Sequence, residues 1–288
     1  MVVQHEHELG VAVRAVRASD PGLRPLLYRP LYGFAQEQAG FSSWLEPPRP
    51  ALTMIIDLEG TISANGKPLP EAWLGGLGES YTVVGLGQGR YASIDLEFTP
   101  LGAYTLLARP LSEVTGACGA LEDLFGAEGR RLSEQVRGVK SWDERFDVLE
   151  RFLLGRAQAG PAPTPAVAWA LSRMWQTGGN VRIAALAAEL GCSRRHLTRR
   201  FTVEIGLSPK AVARQIRFAR VRRAIERSPA RWAEVAAHAG YCDQSHLNRD
   251  FRDLAGTTPQ DFVTRLIPGG GVLGDGVPFV QDSSRDHP

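Results

Sequence analysis

The sequence of 288 residues predicts an α+β fold in two domains, a small β-barrel with trailing helices and then an all-helical domain. The first half is dominated by strand-like runs, and the pattern after residue 165 is helical almost throughout. A proline-rich segment separates the two patterns. Hydrophobic residues make up 43% of the chain and charged residues 22%, so both domains can bury a core.

The first domain is predicted to span residues 1–157. Its strand-like runs are rich in β-branched and aromatic residues and are separated by Gly, Asn and Pro turns; they cover 52–58, 81–86 and 91–98. Helical patterns follow at 120–125, 129–136 and 142–156. In the last of these, four apolar residues share one face: Phe146, Leu149, Leu153 and Leu154. We therefore expect a small barrel or sandwich followed by helices.

A linker is predicted at residues 158–165, because alternating prolines forbid a helix and keep the chain extended. The second domain then spans 166–267. The remaining residues, 268–288, are rich in Gly, Pro, Asp and Ser and are predicted to form a flexible tail with no packing role.

The charge is divided unevenly between these parts. Residues 1–164 contain 15 Lys and Arg against 20 Asp and Glu, a net charge of −5, whereas residues 165–267 contain 17 against 8, a net charge of +9. Sixteen of those seventeen cations are Arg, whose planar guanidinium suits phosphates and guanine edges. The asymmetry indicates a polyanionic partner for the second domain.

Several protein classes are disfavoured by the sequence. No apolar run reaches the ~18 residues that span a bilayer, and the first residues lack the basic and apolar pattern of a secretory signal. The three cysteines, Cys118, Cys192 and Cys242, are odd in number and far apart, which does not favour a disulfide framework. We expect a soluble cytoplasmic protein with no membrane partner.

The second domain contains an internal duplication. At a spacing of 50, seven of the 22 positions from 192 to 213 are identical to their counterparts. The first copy contributes Cys192, His196, Leu197, Arg199, Phe201, Gly206 and Pro209, and the second Cys242, His246, Leu247, Arg249, Phe251, Gly256 and Pro259. The match continues upstream at a spacing of 49, with one extra residue in the turn.

Each copy is predicted to be a helix, a tight turn and a second helix, which is the helix-turn-helix arrangement. In the first copy Ser193 is a plausible N-cap, and the second helix ends near Gly206. In the second copy Asp243 is the expected cap, and the helix ends near Gly256. Helical spacing places Leu197, Phe201 and Ile205 on the inner face of one helix, and Leu247, Phe251 and Leu254 on the inner face of the other.

The outward faces of the two second helices carry side chains that can read DNA. Residues near a helix N-terminus reach base edges first when the helix enters a major groove, and Arg pairs with guanine and Gln with adenine. The predicted base readers are Arg194, Arg195, Thr198 and Arg199 in the first copy, and Gln244, Ser245, Asn248 and Arg249 in the second. Three further arginines are candidate phosphate contacts: Arg222, Arg223 and Arg252.

A helix is predicted between the copies, from Pro209 to about residue 227. About eighteen residues at 1.5 Å each span roughly 27 Å. This helix could therefore hold the two helix-turn-helix copies, the first and second reading heads, about one DNA turn (~34 Å) apart. A final helix is predicted at 257–266.

The second domain resembles the AraC/XylS family of bacterial transcription regulators over residues 166–266. The likeness lies in the linker helix at 217–225 and in two sets of residues: Gly191, Ser193, His196, Leu197, Arg199, Phe201, Gly206, Ser208 and Pro209, then Gly240, Asp243, Gln244, Ser245, Leu247, Arg249, Phe251, Gly256 and Pro259. It implies a seven-helix double helix-turn-helix domain whose recognition helices occupy successive major grooves of double-stranded DNA. At His196 the family often has a bulky aromatic residue instead.

The first domain resembles, less specifically, the sensor or dimerisation domains of the same family, which are often cupin-like barrels followed by helices. The stretches 97–103 and 121–126 carry this likeness. It implies a small-molecule effector, a homodimer or contact with RNA polymerase as candidate partners, and it identifies no effector-binding residue.

Other chemistry is less well supported. Cys192 and His196, with Cys242 and His246, make two Cys-x3-His pairs that could bind zinc, yet the duplication already explains their spacing, so no metal or cofactor is predicted. The glycines at 85–89 lack the spacing of a phosphate loop and are predicted to form a hairpin turn. Five aromatic residues could line a pocket in the barrel: Trp44, Trp73, Tyr81, Tyr91 and Phe98.

We therefore expect a sequence-specific, DNA-binding transcription regulator, modulated through its first domain by an effector or by dimerisation, and not an enzyme. No G-x-S-x-G, H-E-x-x-H or Walker pattern occurs in the sequence. The alternative is a first domain that is an enzyme or a metal-binding barrel, fused to a DNA-binding module.

Overall fold

The computed structural model describes residues 2–7, 10–36, 43–225, 236, 239–267 and 271–273. The described strands are β1 Val2–His7, β2 Gly10–Arg17, β3 Leu31–Gln36, β4 Ser43–Glu46, β5 Leu52–Glu59, β6 Ile62–Ala64, β7 Lys67–Pro68, β8 Ala72–Gly75, β9 Thr82–Leu86, β10 Tyr91–Phe98, β11 Cys118–Ala120 and β12 Val272–Leu273. The described helices are α1 Pro100–Leu107, α2 Leu121–Phe125, α3 Ala127–Gly138, α4 Trp142–Ala159, α5 Pro165–Gln176, α6 Ile183–Glu189, α7 Arg194–Ile205, α8 Pro209–Ile225, α9 Gln244–Ala255 and α10 Pro259–Thr264.

The strands form two antiparallel sheets. One has seven strands in the order β1-β2-β3-β10-β5-β8-β11, and the other has five in the order β12-β4-β9-β6-β7. Strand β10 lies between β3 and β5, where Ile94 pairs with Gly33 on one side and Ile56 on the other. Helices follow the sheets and are the regular secondary structure of the described residues from 165 to 264. The predicted architecture, a β-rich domain followed by a helical one, is confirmed.

The predicted strands at 52–58, 81–86 and 91–98 are confirmed as β5, β9 and β10. The hairpin predicted at 85–89 is wrong. Strand β9 pairs with β4 and β6 in the five-stranded sheet, whereas β10 belongs to the seven-stranded sheet. The connection therefore carries the chain from one sheet to the other, and Gly89 adopts a φ of +89° there, which glycine reaches at little cost.

The helices predicted at 120–125, 129–136 and 142–156 are confirmed as α2, α3 and α4. Helix α4 begins with a capping box, in which Ser141 Oγ accepts the Glu144 amide and the Glu144 side chain accepts the Ser141 amide. Of the four residues expected on its buried face, Phe146, Leu149 and Leu153 are buried and Leu154 is half-buried.

The helix starts expected in the second domain are observed. Ser193 Oγ accepts the amide of His196 at 3.1 Å, and Asp243 Oδ1 accepts the amide of His246 at 2.7 Å. The final helix is shorter than the predicted 257–266. Residues 226–235, where the first helix of the second copy is predicted to begin, lie outside the described residues. The count of seven helices is therefore not tested.

The connection between the domains is shorter than the predicted 158–165. Helix α4 continues to Ala159 and α5 begins at Pro165. The end of this connection is held by Glu204 of α7, whose buried carboxylate accepts hydrogen bonds from the amide and the hydroxyl of Thr164, each at 2.8 Å. These hydrogen bonds join the end of the connection to α7.

Two large hydrophobic cores are divided along helix α8. Its first half contributes Val212 and Ile216 to a core that joins the N-terminal sheets and helices to α5, α6 and α7. Its second half contributes Phe218 and Val221 to a separate core with α9 and α10. The first reading head, which contains α6 and α7, therefore shares its core with the N-terminal domain. The second reading head, which contains α9 and α10, has a separate core.

The expectation of a tail with no packing role is wrong at its start. Val272 and Leu273 form strand β12, which pairs antiparallel with Leu45 and Trp44 of β4. Val272 is fully buried in the second core, so apolar burial outweighs the loop-like composition of the segment. Residues 274–288 lie outside the described residues.

Candidate nucleic-acid interface

Helices α7 and α9, the predicted recognition helices, are each anchored by one apolar face. Every residue predicted for these inner faces is at most 2% exposed: Leu197, Phe201, Ile205, Leu247, Phe251 and Leu254. Burial of each such side chain stabilises the packed helix by about 1.5–3 kcal/mol. The anchoring fixes which side of each helix faces solvent, as the repeat predicted.

The eight predicted base readers lie in the first half of each helix. Six of them are exposed: Arg194, Arg195, Arg199, Gln244, Ser245 and Arg249. Thr198 and Asn248 are half-buried. All eight follow the N-caps at Ser193 and Asp243, so each set lies at the positive end of a helix dipole. The structure thus presents two similar polar ends, one per head.

Four of these residues are arginines with exposed side chains. Within the described part of the chain, the guanidinium groups of Arg194, Arg195, Arg199 and Arg249 form no ion pair. Arg200 differs, since its Nη2 lies 3.7 Å from Glu204 Oε1. An exposed arginine without a carboxylate neighbour has no internal pair to break on binding an anion.

The three candidate phosphate contacts are in different surroundings. Arg252 is exposed on α9, and Arg222 is half-buried on α8. Arg223 Nη2 donates to Tyr28 Oη at 3.3 Å, so this side chain lies beside the N-terminal domain and not with the recognition helices. Its phosphate role remains a prediction that this arrangement does not favour.

An ion-pair cluster that the sequence analysis missed joins α8 to α9. Arg214 Nε lies 2.7 Å from Asp250 Oδ1, and its Nη2 lies 2.5 Å from Asp253 Oδ2. Burial acts to lower the pKa of Arg214, but the hydrogen bonds that its guanidinium donates to both carboxylates hold that pKa above its usual value. The cluster orients the second recognition helix against the connecting helix. The only signal in the sequence is one Arg and two Asp, 36 and 39 residues apart.

The aromatic residues proposed for a pocket do not gather in one place. Trp73, Tyr91 and Phe98 are buried among the sheets. Trp44 lies beside Gly271, and Tyr81 lies beside Gly256, so these two side chains reach the C-terminal part of the chain. No group of three or more His, Cys, Asp or Glu suited to a metal occurs among the described residues.

Comparison with known proteins supports the reading of the second domain. A family model described as a helix-turn-helix domain matches residues 186–265. The HTH-type transcriptional regulator Rv1931c from Mycobacterium tuberculosis (strain ATCC 25618 / H37Rv) is 31% identical over 87 residues, which are 30% of this chain and 34% of that protein. The match thus spans about a third of the length of this curated relative.

Solved structures that are similar to the chain include the following two. ToxT from Vibrio cholerae matches with a TM-score of 0.50 and 12% identity, over 81% of this chain and 98% of that one. The C-terminal domain of AraT, a response regulator from Geobacillus stearothermophilus, matches with a TM-score of 0.34 and 22% identity, over 37% of this chain and 90% of that domain. The ToxT likeness concerns the fold, a β-rich domain followed by a helical one.

The family-model match confirms the helix-turn-helix arrangement predicted in the C-terminal region. Residues 186–265 are a helix-turn-helix domain. No helix in the described part of the chain is long and apolar enough to cross a membrane.

Proposed function

From the helix-turn-helix domain at residues 186–265 and the resemblance of its residues to the AraC/XylS family, we propose that this protein is a bacterial transcription regulator that reads a specific sequence in double-stranded DNA. Its two recognition helices enter adjacent major grooves. The observation that supports this most strongly is the pair of equivalent helices, each with a buried inner face and an exposed arginine-bearing N-terminal half.

The chemistry of the two helices suits base reading. Arg195 and Arg199 in α7, and Arg249 in α9, can each donate two hydrogen bonds to the O6 and N7 atoms of a guanine. Gln244 can pair with adenine in the same way, and Ser245 can bond several bases. Since the two sets differ outside Arg199 and Arg249, the two halves of the DNA site are expected to differ in sequence.

The phosphate contacts supply affinity without sequence preference. Arg252 is exposed one helical turn after Arg249 and is suited to the DNA backbone, whereas Arg222 on α8 is half-buried and is the weaker candidate. The domain from 165 to 267 carries a net charge of +9 and the preceding residues −5, so the field of the protein draws DNA to the second domain.

Regulation acts through the N-terminal domain, by a small-molecule effector or by dimerisation. The support is the continuous core that this domain shares with the first reading head. A conformational change in the N-terminal domain would therefore be transmitted to α7 through this core. RNA polymerase is a further candidate partner.

A competition experiment tests the proposed function. The full chain is bound to a labelled duplex selected from a random pool, and unlabelled specific duplex, random duplex and double-stranded RNA compete for it. We expect specific duplex to compete at least about a thousandfold better than random duplex. Equal competition by random duplex would indicate an architectural protein, and equal competition by RNA would indicate an RNA-binding protein.

A further inference from the structure

The C-terminal ends of both recognition helices lie against the N-terminal domain at equivalent positions of the duplication. Gly206 ends α7 with a φ of +95°, and Gly256 ends α9 with a φ of +67°. A Cβ atom placed on Gly206 would lie 2.7 Å from Thr115 Oγ1, and one placed on Gly256 would lie 2.9 Å from the Tyr81 ring. Both glycines therefore allow a close approach as well as a left-handed backbone.

The contact with the first head is polar. Thr115 Oγ1 lies 2.8 Å from the carbonyl oxygen of Gly206 and 3.0 Å from that of Leu111. The short 3-10 helix Leu111–Glu113 packs directly on α7. A carbonyl at the end of a helix has no partner within the helix, so the Thr115 hydroxyl supplies one from the N-terminal domain.

The contact with the second head is apolar and continues along the chain. Tyr81 and Leu45 both lie at the Gly256 cap. Beyond α10, strand β12 pairs with β4, and Val272 completes the core of the second head. The second head therefore contacts the N-terminal domain through the Tyr81 ring, the Leu45 side chain and the pairing of β12 with β4.

Between the heads, helix α8 is held as well. Gln215 is 1% exposed, and its Nε2 donates to the carbonyl oxygen of Gly78 at 2.6 Å. Gly78 and Tyr81 belong to the same connection between β8 and β9. One segment of the N-terminal domain thus contacts both the connecting helix and the second cap.

We propose that the N-terminal domain fixes the separation of the two reading heads, with Thr115 and Tyr81 as the positioning residues that set which spacing of DNA boxes the protein accepts. This inference rests on the proposed function. The N-terminal domain holds the helices by their C-terminal ends, so the exposed readers at 194–199 and 244–249 remain open to DNA.

Helix α8 and the Arg214 cluster alone leave the spacing weakly defined. Among the described residues, the cores of the two heads are separate and are divided along α8. Moving one DNA box by one base pair shifts it by about 3.4 Å and turns it by about 34° around the duplex axis. A rotation of that size needs one head to move relative to the other, and the contacts at Gly206 and Gly256 oppose the movement because both end on one domain.

The test measures box spacing with the full chain. The duplex selected from a random pool is prepared with its two boxes at the selected spacing, with one base pair added between them, and with one removed. A fourth duplex keeps one box and randomises the other. For the native chain we expect about a tenfold loss of affinity for either altered spacing. Failure of the native chain to prefer any selected duplex over random DNA would refute the proposed function itself.

Two independent variants remove the contacts. Tyr81→Ala removes the ring at the second cap, and Thr115→Val removes the hydroxyl at the first. In each we expect the spacing penalty to fall to about twofold, with unchanged affinity for the one-box duplex. The matched controls Tyr81→Phe and Thr115→Ser keep the ring and the hydroxyl, and should keep the tenfold penalty.

The one-box duplex separates positioning from a general structural effect, because a destabilised domain would lose affinity for every duplex alike. The inference is overturned if Tyr81→Ala and Thr115→Val, shown to be folded by their thermal unfolding, keep the full spacing penalty. It is equally overturned if the controls lose the penalty as the test variants do.

Discussion

Gly206 and Gly256 occupy the same position in the two copies of the duplicated unit, and each ends a recognition helix against the N-terminal domain. Both have a positive φ, which an L-residue with a side chain adopts only at a cost. The partners differ, a threonine hydroxyl for Gly206 and a tyrosine ring for Gly256. The duplication thus created two equivalent ends, and one domain contacts both.

The first prediction concerns base reading. Replacing Arg199 or Arg249 with Ala should weaken binding to the selected duplex by about 1–3 kcal/mol and relax the preference at one base pair, since the bidentate contact to guanine is lost. Binding titrations against all four bases at each position would measure this. Lys210→Ala, at an exposed position on α8, is the control. Equal losses on selected and random duplexes would remove the base-reading role of these arginines.

The second prediction concerns phosphate contact. Arg252→Ala should weaken binding to selected and random duplexes alike, because backbone contacts carry no sequence information. The slope of log K against log salt concentration should fall by about one. An unchanged slope would mean that Arg252 does not contact the backbone. Arg223→Ala is a useful comparison, since its side chain lies at Tyr28, and it should leave the slope as it is.

The third prediction concerns the link between α8 and α9. Arg214→Met should lower the free energy of unfolding by about 2–3 kcal/mol, because it leaves the buried carboxylate of Asp250 without its cation. The double variant Arg214→Met with Asp250→Leu should recover most of this loss. Urea unfolding of the two single variants and the double variant gives the coupling energy. Strictly additive effects would show that the pair does not act as a unit.

The fourth prediction concerns a buried carboxyl in the seven-stranded sheet. Asp57 is 4% exposed and accepts a hydrogen bond from Tyr91 Oη at 2.7 Å. Burial raises its pKa from 3.8 to about 6. Because the folded chain then holds the proton more tightly than the unfolded chain, ionisation of Asp57 costs stability as the pH rises from about 4 to about 6.

Asp57→Asn should remove this cost while keeping an acceptor for Tyr91. We expect it to raise the free energy of unfolding by about 1–3 kcal/mol at neutral pH, and to have little effect near pH 4. Urea unfolding of both chains across this range measures the difference. A gap between the two chains that is independent of pH would show that Asp57 does not titrate as described.

Much of the helical domain could be predicted from the sequence, because its signals are local. The caps at Ser193 and Asp243 and the glycines at 206 and 256 mark helix ends directly. The duplication then predicts the buried face of each recognition helix from the same apolar pattern in both copies. The same local signals predicted strands β5, β9 and β10 in the first domain.

Other features depend on contacts between distant parts of the chain and leave no local pattern. Val272 lies in a segment whose composition is typical of a loop, and only the core of the second head explains its burial. The glycines at 85–89 indicated a turn but not which sheet each flanking strand would join. Arg214, Thr115 and Tyr81 are single polar or aromatic residues, and their contacts with Asp250, Gly206 and Gly256 span 36 or more positions.

Selection of bound duplexes from a random pool by the full chain tests the central claim most directly. We expect a consensus with two short boxes of different sequence, separated centre to centre by about ten base pairs, which is one turn of the duplex. A single box, or boxes at no fixed separation, would contradict the presence of two reading heads that enter adjacent major grooves.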